Sequence, residues 1–225
     1  MPENNKKKDN GSILKVTKAD QYKTVRELFE RSHANSSYFT LLILSALIIT
    51  CGLLLNNSTI VIGGMLLTPV LTPVLVVGLG LAVGELGAIR SVAMLIGKSF
   101  LIILVSAFVL ALLFGYPSDV YSFENTTRTA ILYFIVAILS GVVGAIAWAR
   151  KEVIEIIPGV AIAVSLVPPL SLVGVWLSAF QLDTARFYFF IFLLNLFGIV
   201  VGSLIVFSVL KFYKINKEVK EEAEE

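Results

Sequence analysis

Two long apolar stretches of the sequence each carry prolines beside hydroxyl residues, a spacing that could present main-chain oxygens to a ligand. A proline cannot donate the helical hydrogen bond to the carbonyl four residues earlier. In the first stretch, Pro69 should therefore free the carbonyl of Met65, and Pro73 should free that of Pro69. The hydroxyls of Thr68 and Thr72 stand beside these carbonyls. Such oxygens suit Na⁺ or another hard cation.

The second stretch has the same design. By the same rule, Pro168 and Pro169 should free the carbonyls of Val164 and Ser165, and Ser171 adds a second hydroxyl beside that of Ser165. Unsatisfied backbone groups are costly in hydrocarbon, so such interruptions persist only where protein, water or a ligand satisfies them. We therefore predict a substrate-binding site where the two stretches meet. Kinked but continuous helices are the structural alternative.

The elements that would position these residues are two broken membrane helices, Thr59 to Glu85 and Ile156 to Ser178. Interrupted apolar segments in corresponding places of two halves are the sequence pattern of a midplane site in transporters. The N-terminal ends of the second half-helices would face an anionic group of the solute, because a helix carries partial positive charge there.

The composition defines the broad class. The chain of 225 residues is 57% hydrophobic and 15% charged, whereas soluble domains are nearer half apolar and a quarter charged. Apolar runs of about 20 residues indicate helices that cross a bilayer. We expect an all-α polytopic membrane protein.

The apolar runs predict six transmembrane helices, of which the second and fifth are the broken ones. Their approximate bounds are Tyr38 to Leu55, Thr59 to Gly84, Val92 to Phe114, Arg128 to Trp148, Ile156 to Ala179 and Phe187 to Leu210. With the N-terminus inside, all 18 lysines and arginines except Arg128 and Arg186 fall on the cytoplasmic side. This asymmetry predicts that both termini are cytoplasmic.

Six spans divide into two halves of three, each reading plain, broken, plain. Because three is odd, the second half would be inverted relative to the first, as in several transporter classes. Asn195 is the one strong polar group deep in a plain span, and we include it in the site. Glu85 and Arg90 would pair or mark the mouth of the pathway. Small-residue patterns predict close helix packing at Gly80-x-x-x-Gly84 and Gly198-x-x-x-Gly202.

Four regions follow from these observations. Residues 1–18 form a basic tail that we expect to be disordered. Residues 19–36 would form an amphipathic helix at the membrane surface, or one that packs on another subunit. Residues 37–211 hold the six helices, and residues 212–225 form a charged cytoplasmic tail that would extend the sixth span into solvent.

The broken segments resemble a known family. Residues 60–85 (IVIGGMLLTPVLTPVLVVGLGLAVGE), 158–178 (PGVAIAVSLVPPLSLVGVWLS) and 193–201 (LLNLFGIVV) are similar to the family catalogued as domain of unknown function 389, hydrophobic integral membrane proteins of bacteria and archaea. The resemblance implies a multi-pass protein of a prokaryotic cytoplasmic membrane. It implies no substrate, because the family has no established activity.

The leading functional hypothesis is a homo-oligomeric transporter or channel for a small solute or inorganic ion. The rival is a non-transporting scaffold or lipid-binding component, distinguished by whether the broken spans enclose a polar cavity or pack solidly. We do not expect an enzyme, because the sequence shows no nucleophile and base pair and no cluster with metal-ligand spacing. We expect the lipid bilayer as a partner, no nucleic acid, and no cofactor beyond a possible Na⁺ or other cation.

Overall fold

The computed structural model describes residues 16–115, 127–150 and 166–224. Within these ranges the chain is all helical and contains no strand. Its helices are α1 (Lys18–Glu30), α2 (Ser36–Leu54), α3 (Ser58–Met65), α4 (Leu71–Val83), α5 (Leu86–Phe114), α6 (Thr127–Ala149), α7 (Val167–Ser178), α8 (Leu182–Val209), a short 3₁₀ helix (Phe212–Ile215) and α9 (Asn216–Glu224). The all-α class is confirmed.

Four helices, α2, α5, α6 and α8, are long and apolar enough to cross a membrane. In the most apolar 18-residue stretch of each helix, only 28% to 44% is buried inside the molecule, so much of the apolar surface of these helices faces outward. Outward apolar surface on long helices is typical of proteins that are surrounded by lipid. Two shorter apolar helices, α4 and α7, complete the bundle.

The first proline-containing stretch is divided into two helices, as predicted. Helix α3 ends at Met65 and α4 begins at Leu71, and we call residues 66–70 between them the joint. Pro73 lies in the first turn of α4, where a backbone N–H has no helical partner in any case. In the second stretch α7 begins at Val167 with two prolines in its first turn, while residues 151–165 lie outside the described ranges.

Helix α8 is central and packs on α4, α6 and α7. Its contact with α6 is the most extensive in the described chain, because glycines let the two backbones approach. A Cβ atom at Gly202 would lie 2.1 Å from the carbonyl oxygen of Ile138, and one at Gly198 would lie 2.6 Å from the Cβ of Ala137. The predicted role of this glycine pair in helix packing is confirmed.

The other glycine pair does not form such a contact. Gly80 packs beside Ile89, but Gly84 ends helix α4 with a φ of +75°, and nothing lies within 4 Å of the position of its Cβ. A glycine in this left-handed conformation is a common helix terminator, because other residues are strained there. The predicted packing motif at Gly80 and Gly84 is therefore wrong at its second position.

Helix α1 packs its apolar side on the same chain. Val25, Leu28 and Phe29 are each at most 3% exposed, and α1 contacts α4, α6, the 3₁₀ helix and α9. We expected these side chains to face lipid or another subunit. The structure buries them against other helices of the same chain instead. The expected place of α1 at the membrane surface stays a prediction.

The charged tail does not extend the sixth span into solvent, as we expected. Helix α8 ends at Val209, and Lys211 reverses the chain with a φ of +63°. Phe212, Ile215 and Val219 are then at most 1% exposed. Their apolar side chains recur at helical spacing, and burying them against α1 and α4 is more favourable than leaving them in water. We call α1, the 3₁₀ helix and α9 the terminal layer.

Side-chain hydrogen bonds attach the terminal layer to the C-terminal ends of α8, α6 and α4. They run from Gln21 Nε2 to the carbonyl of Leu210 at 2.7 Å, from Thr24 Oγ1 to the carbonyl of Trp148 at 3.1 Å, and from Asn216 Nδ2 to the carbonyl of Val83 at 3.1 Å. The guanidinium of Arg31 also stacks over the Trp148 ring, 5.3 Å from its centroid. Both described ends of the chain therefore lie at the same end of the bundle.

Candidate functional site

The joint between α3 and α4 satisfies its carbonyls within the chain. The Met65 carbonyl accepts a hydrogen bond from the backbone N–H of Thr68 at 3.2 Å, and the Pro69 carbonyl accepts one from the Thr72 hydroxyl at 3.0 Å. We expected both carbonyls to be free for a ligand. In the structure each carbonyl has one donor, because the chain tightens to a three-residue spacing after Met65 and a side chain replaces the donor that Pro73 lacks. A contact between these oxygens and a ligand stays a prediction.

A hydroxyl of α2, that of Ser45, also supports the joint. Ser45, which is fully buried, donates to the Gly64 carbonyl at 3.0 Å and forms a short hydrogen bond with the Thr68 hydroxyl. Thr68 also lies 3.5 Å from the same carbonyl. Thr68 and Thr72 therefore stabilise the interruption itself, and their hydroxyls are already engaged.

The second interruption is described only from its C-terminal side. Pro168 and Pro169 occupy the first turn of α7, whereas Val164 and Ser165 lie outside the described residues. Ser171 is fully buried, and its hydroxyl has no hydrogen-bond partner in the described chain. The two interruptions differ in one respect. In the first stretch a threonine directly precedes each proline, whereas no hydroxyl residue directly precedes either proline of α7.

A cavity of about 180 Å³ lies where the interrupted stretches meet. Its described lining comes from the α2–α3 hairpin, from one residue of α6, from the start of α7 and from the first half of α8. These residues are Leu53, Ser58, Val61, Ile62, Met65, Tyr133, Pro168, Pro169, Leu172, Phe187, Tyr188, Ile191 and Asn195. Of the predicted site residues, the cavity brings together Met65, Pro168, Pro169 and Asn195.

The remaining predicted site residues lie elsewhere. Thr68, Pro69, Thr72 and Pro73 belong to the joint and to the start of α4, and neither they nor Ser171 are among the described lining residues. The turn that ends α3 directs the chain away from the cavity after Met65. Of the first interrupted stretch, only the half-helix α3 therefore reaches the cavity.

The walls of the cavity are mainly apolar, and none of the described lining residues is charged. Its lining residues with polar groups are Asn195, Tyr133, Tyr188 and Ser58. Asn195 and Tyr188 are each 3% exposed. A site with apolar walls and a few polar groups is the usual form of a small-molecule site.

Sequence reasoning missed both tyrosines, although α8 carries a usable signal. Tyr188, Ile191 and Asn195 recur at three and seven residues, so they share one face of the helix. Once Asn195 is chosen, this spacing points to Tyr188. No comparable signal selects Tyr133 from the other aromatic residues of α6.

Glu85 and Arg90 do not form the predicted pair. The Glu85 carboxylate accepts a hydrogen bond from the Gly87 backbone N–H at 3.1 Å and caps the start of α5. Arg90 is exposed, and no ion pair within residues 16–115 joins the two. An acidic side chain at a helix N-terminus is stabilised by the exposed N–H groups there, which explains this arrangement.

A family model described as Domain of unknown function (DUF389) matches residues 65–201, well over half of the chain. The chain belongs to this family. The resemblance drawn from the broken segments is therefore confirmed. The match begins at the last residue of α3 and contains the joint, α7 and Asn195, so the DUF389 region includes most of the cavity lining.

One curated relative is an uncharacterized protein, MJ0678, of Methanocaldococcus jannaschii, 24% identical to this chain over 173 residues. The aligned part covers 75% of this chain and 52% of the relative, so the chain spans about half the length of the relative. No solved structure matches the chain. Neither the DUF389 family nor this relative carries an activity in its name, so a function must be argued from the cavity.

Proposed function

We propose that this protein is a membrane transporter or channel for a small solute, with its site in the cavity between the end of α3 and the start of α7. The observation that carries the proposal is the cavity itself, which both interrupted stretches line together with Asn195. Interrupted membrane helices that meet at a cavity are the usual construction of a transporter site.

The state of the joint favours a solute over a dehydrated cation. A dehydrated cation needs about six oxygen ligands around one point, and carbonyls that already accept hydrogen bonds are weaker ligands. The carbonyls of Gly64, Met65 and Pro69 all accept hydrogen bonds within the chain. We therefore propose a solute as the cargo, and Na⁺ coupling remains a separate hypothesis.

The architecture that we propose for transport has six spans in two inverted halves of three. Helices α3 and α4 together would form the second span, and the stretch that ends in α7 would form the fifth. The location of α1 and α9 at one end of the bundle supports an even number of spans. We place that end in the cytoplasm of a prokaryotic cell, because nearly all lysines and arginines would then lie inside.

The cavity also bears on the rival hypothesis of a scaffold or lipid-binding component. In a scaffold, the prolines would only shape helices and the interrupted spans would be expected to pack solidly. The cavity shows that the described parts of these spans do not pack solidly, which speaks against this alternative. Its walls are mainly apolar, however, and not the polar ones that we expected of a transporter, so only its few polar residues favour transport. We further propose that the protein has no catalytic role and works as a homo-oligomer in the bilayer.

Solute permeation into proteoliposomes tests the proposal. The probes would be glycerol and urea, followed by light scattering after an osmotic step, and radioactive Na⁺ and Rb⁺. The blocking variant is Ile62→Trp, because Ile62 lines the cavity and is 40% exposed, so the larger ring can be accommodated. The matched control is Ile131→Trp on the outer face of α6, where Ile131 is 53% exposed.

We expect flux of a neutral probe through the wild type and the Ile131→Trp control, and flux at the level of protein-free vesicles in the Ile62→Trp variant. Equal flux in both variants would contradict a pathway through this cavity. Permeation of the cations but not of the neutral probes would contradict the choice of a solute.

A further inference from the structure

The cavity has a size, a charge and a polar pattern that together define a class of ligand. We propose that it binds a small neutral amphipathic molecule, with an apolar body about as large as a benzene ring and a single hydrogen-bonding group directed to Asn195. This inference rests on the proposed function, because it names the class of solute that the same site would carry.

The volume limits the size of the ligand. The cavity measures about 180 Å³, and an engineered apolar cavity of about 150 Å³ accommodates benzene. A molecule of roughly six to ten non-hydrogen atoms therefore fits. A nucleotide is far too large for a cavity of this size.

The absence of charge on the described lining residues limits the charge of the ligand. An ion that leaves water for an apolar site needs a counter-charge or several hydrogen bonds to replace its hydration. The described lining offers one amide, two phenols and a serine hydroxyl. A carboxylate or an ammonium group would therefore bind weakly, and a neutral molecule is favoured.

Three of the four polar lining residues, Asn195, Tyr188 and Tyr133, come from α8 and α6, and they would determine the orientation of the ligand. Asn195 and Tyr188 are two turns apart on the same face of α8, and Tyr133 lies on the neighbouring α6. An asparagine amide has two donor hydrogens and an acceptor oxygen, so it can add a bond to a hydroxyl or amide of the ligand. Leu53, Val61 and Leu172 on the α2, α3 and α7 side would contact the apolar body.

Fluorine NMR on the purified full chain tests this assignment with three probes that lie within this size range: fluorobenzene, 4-fluorophenol and 4-fluorobenzoate. Binding of each probe broadens its fluorine line, and we measure the part of this broadening that excess unlabelled phenol removes. Broadening by partition into the detergent micelle is not removed by phenol and is therefore excluded from the measurement. We expect saturable binding in the order fluorophenol, then fluorobenzene, with none for fluorobenzoate.

Two variants locate the bound probe. Asn195→Leu should lower the affinity for fluorophenol by about fivefold, the size of one ordinary hydrogen bond, and leave that for fluorobenzene unchanged. Ile62→Trp should abolish binding of both, whereas the control Ile131→Trp should retain both. If Asn195→Leu does not fold, the two tryptophan variants still decide whether the probe occupies this cavity.

Three results would overturn the inference. The first is preferential binding of fluorobenzoate, and the second is an Asn195→Leu variant that binds fluorophenol as tightly as the wild type does. The third is an affinity that rises steadily with alkyl chain length in a series of n-alcohols, which would identify a groove for lipid chains. Binding in the expected order without flux in proteoliposomes would refute transport alone. Flux that Ile62→Trp blocks, without saturable probe binding, would refute this inference alone.

Discussion

At the joint, threonine hydroxyls donate hydrogen bonds to carbonyls that backbone amides would satisfy in an ordinary helix. Pro73 cannot supply a donor for the Pro69 carbonyl, and the Thr72 hydroxyl supplies it instead at 3.0 Å. The sequence contains this information, because each threonine directly precedes a proline. We overlooked it because the i−4 rule for proline considers only the lost amide donor and not a hydroxyl one turn away.

We predict that Thr72→Val lowers the free energy of unfolding by about 1–3 kcal/mol, because it leaves a carbonyl without a donor. Valine keeps the shape of threonine, and Thr72 is only 8% exposed, so the hydrogen bond is the main loss. The measurement is unfolding of the detergent-solubilised protein by increasing mole fractions of SDS.

Thr50→Val is the control for this change. The Thr50 hydroxyl donates to the Ala46 carbonyl at 2.7 Å, but that carbonyl also receives the regular amide hydrogen bond of helix α2. Its loss should therefore cost clearly less than the Thr72 change. Equal costs for the two variants would show that the joint does not depend on the hydroxyl.

The candidate site could be predicted only in part. Met65, Pro168, Pro169 and Asn195 carry local signals, which are proline interruptions and a strong polar residue in an apolar run. Tyr133 and Tyr188 carry weaker ones, because any aromatic residue suits an apolar helix. Which of them faces the cavity depends on the rotation of α6 and α8 about their axes, and close packing between those helices determines that rotation.

Among the helices, glycine contacts make the tightest packing between α6 and α8. A Cβ at Gly141 would lie 2.3 Å from the carbonyl oxygen of Ile199, and one at Gly202 would meet that of Ile138. Such distances are far below van der Waals contact, and the clashing atoms belong to backbone that cannot rotate away. The two helices would have to separate to admit a side chain at either position.

We predict that Gly202→Ala lowers the free energy of unfolding by about 1–3 kcal/mol or more through this clash. Gly97→Ala on α5 is the matched control, because nothing lies within 4 Å of its Cβ position. The control should be neutral or stabilising by up to about 1 kcal/mol, since alanine favours helix more than glycine does. Thermal unfolding of both variants in one detergent measures the difference, and a stable Gly202→Ala protein would contradict the packing.

Hydropathy predicts the long helices well and their ends poorly. It located α2, α5, α6 and α8, because an apolar run of about 20 residues is the length that a helix needs to cross a bilayer. It missed that α5 begins at Leu86 and that the chain folds back after Lys211, since helices outside the hydrocarbon have no apolar signature. The spacing of Phe212, Ile215 and Val219 was the available signal for α9.

Over the whole molecule, the terminal layer and the turn between α7 and α8 lie at opposite ends. Helix α8 has 28 residues and so spans about 42 Å. Its C-terminal end is bonded to α1 through Gln21, and its N-terminal end follows the turn that contains Phe180, which is 88% exposed. This separation permits a direct test of the proposed topology.

We predict that single cysteines at Lys23 and Glu221 react from the cytoplasmic side and that one at Phe180 reacts from the outside. The background would be Cys51→Ser, which removes the only native thiol. A membrane-impermeant maleimide applied to intact cells and to inverted vesicles distinguishes the two sides. Reaction of Lys23→Cys and Glu221→Cys from opposite sides would refute an even number of spans.

The hydroxyl bonds at the joint have a mechanical consequence. An amide N–H is fixed in its peptide plane, so an ordinary helix loses hydrogen bonds when it bends sharply. A hydroxyl can follow its acceptor by rotating about its own single bonds, and Ser45 holds the Gly64 carbonyl from a separate helix. The angle between α3 and α4 can therefore change while the Gly64 and Pro69 carbonyls keep their hydroxyl donors. The Met65 carbonyl, whose donor is the Thr68 amide, sets the limit of that movement.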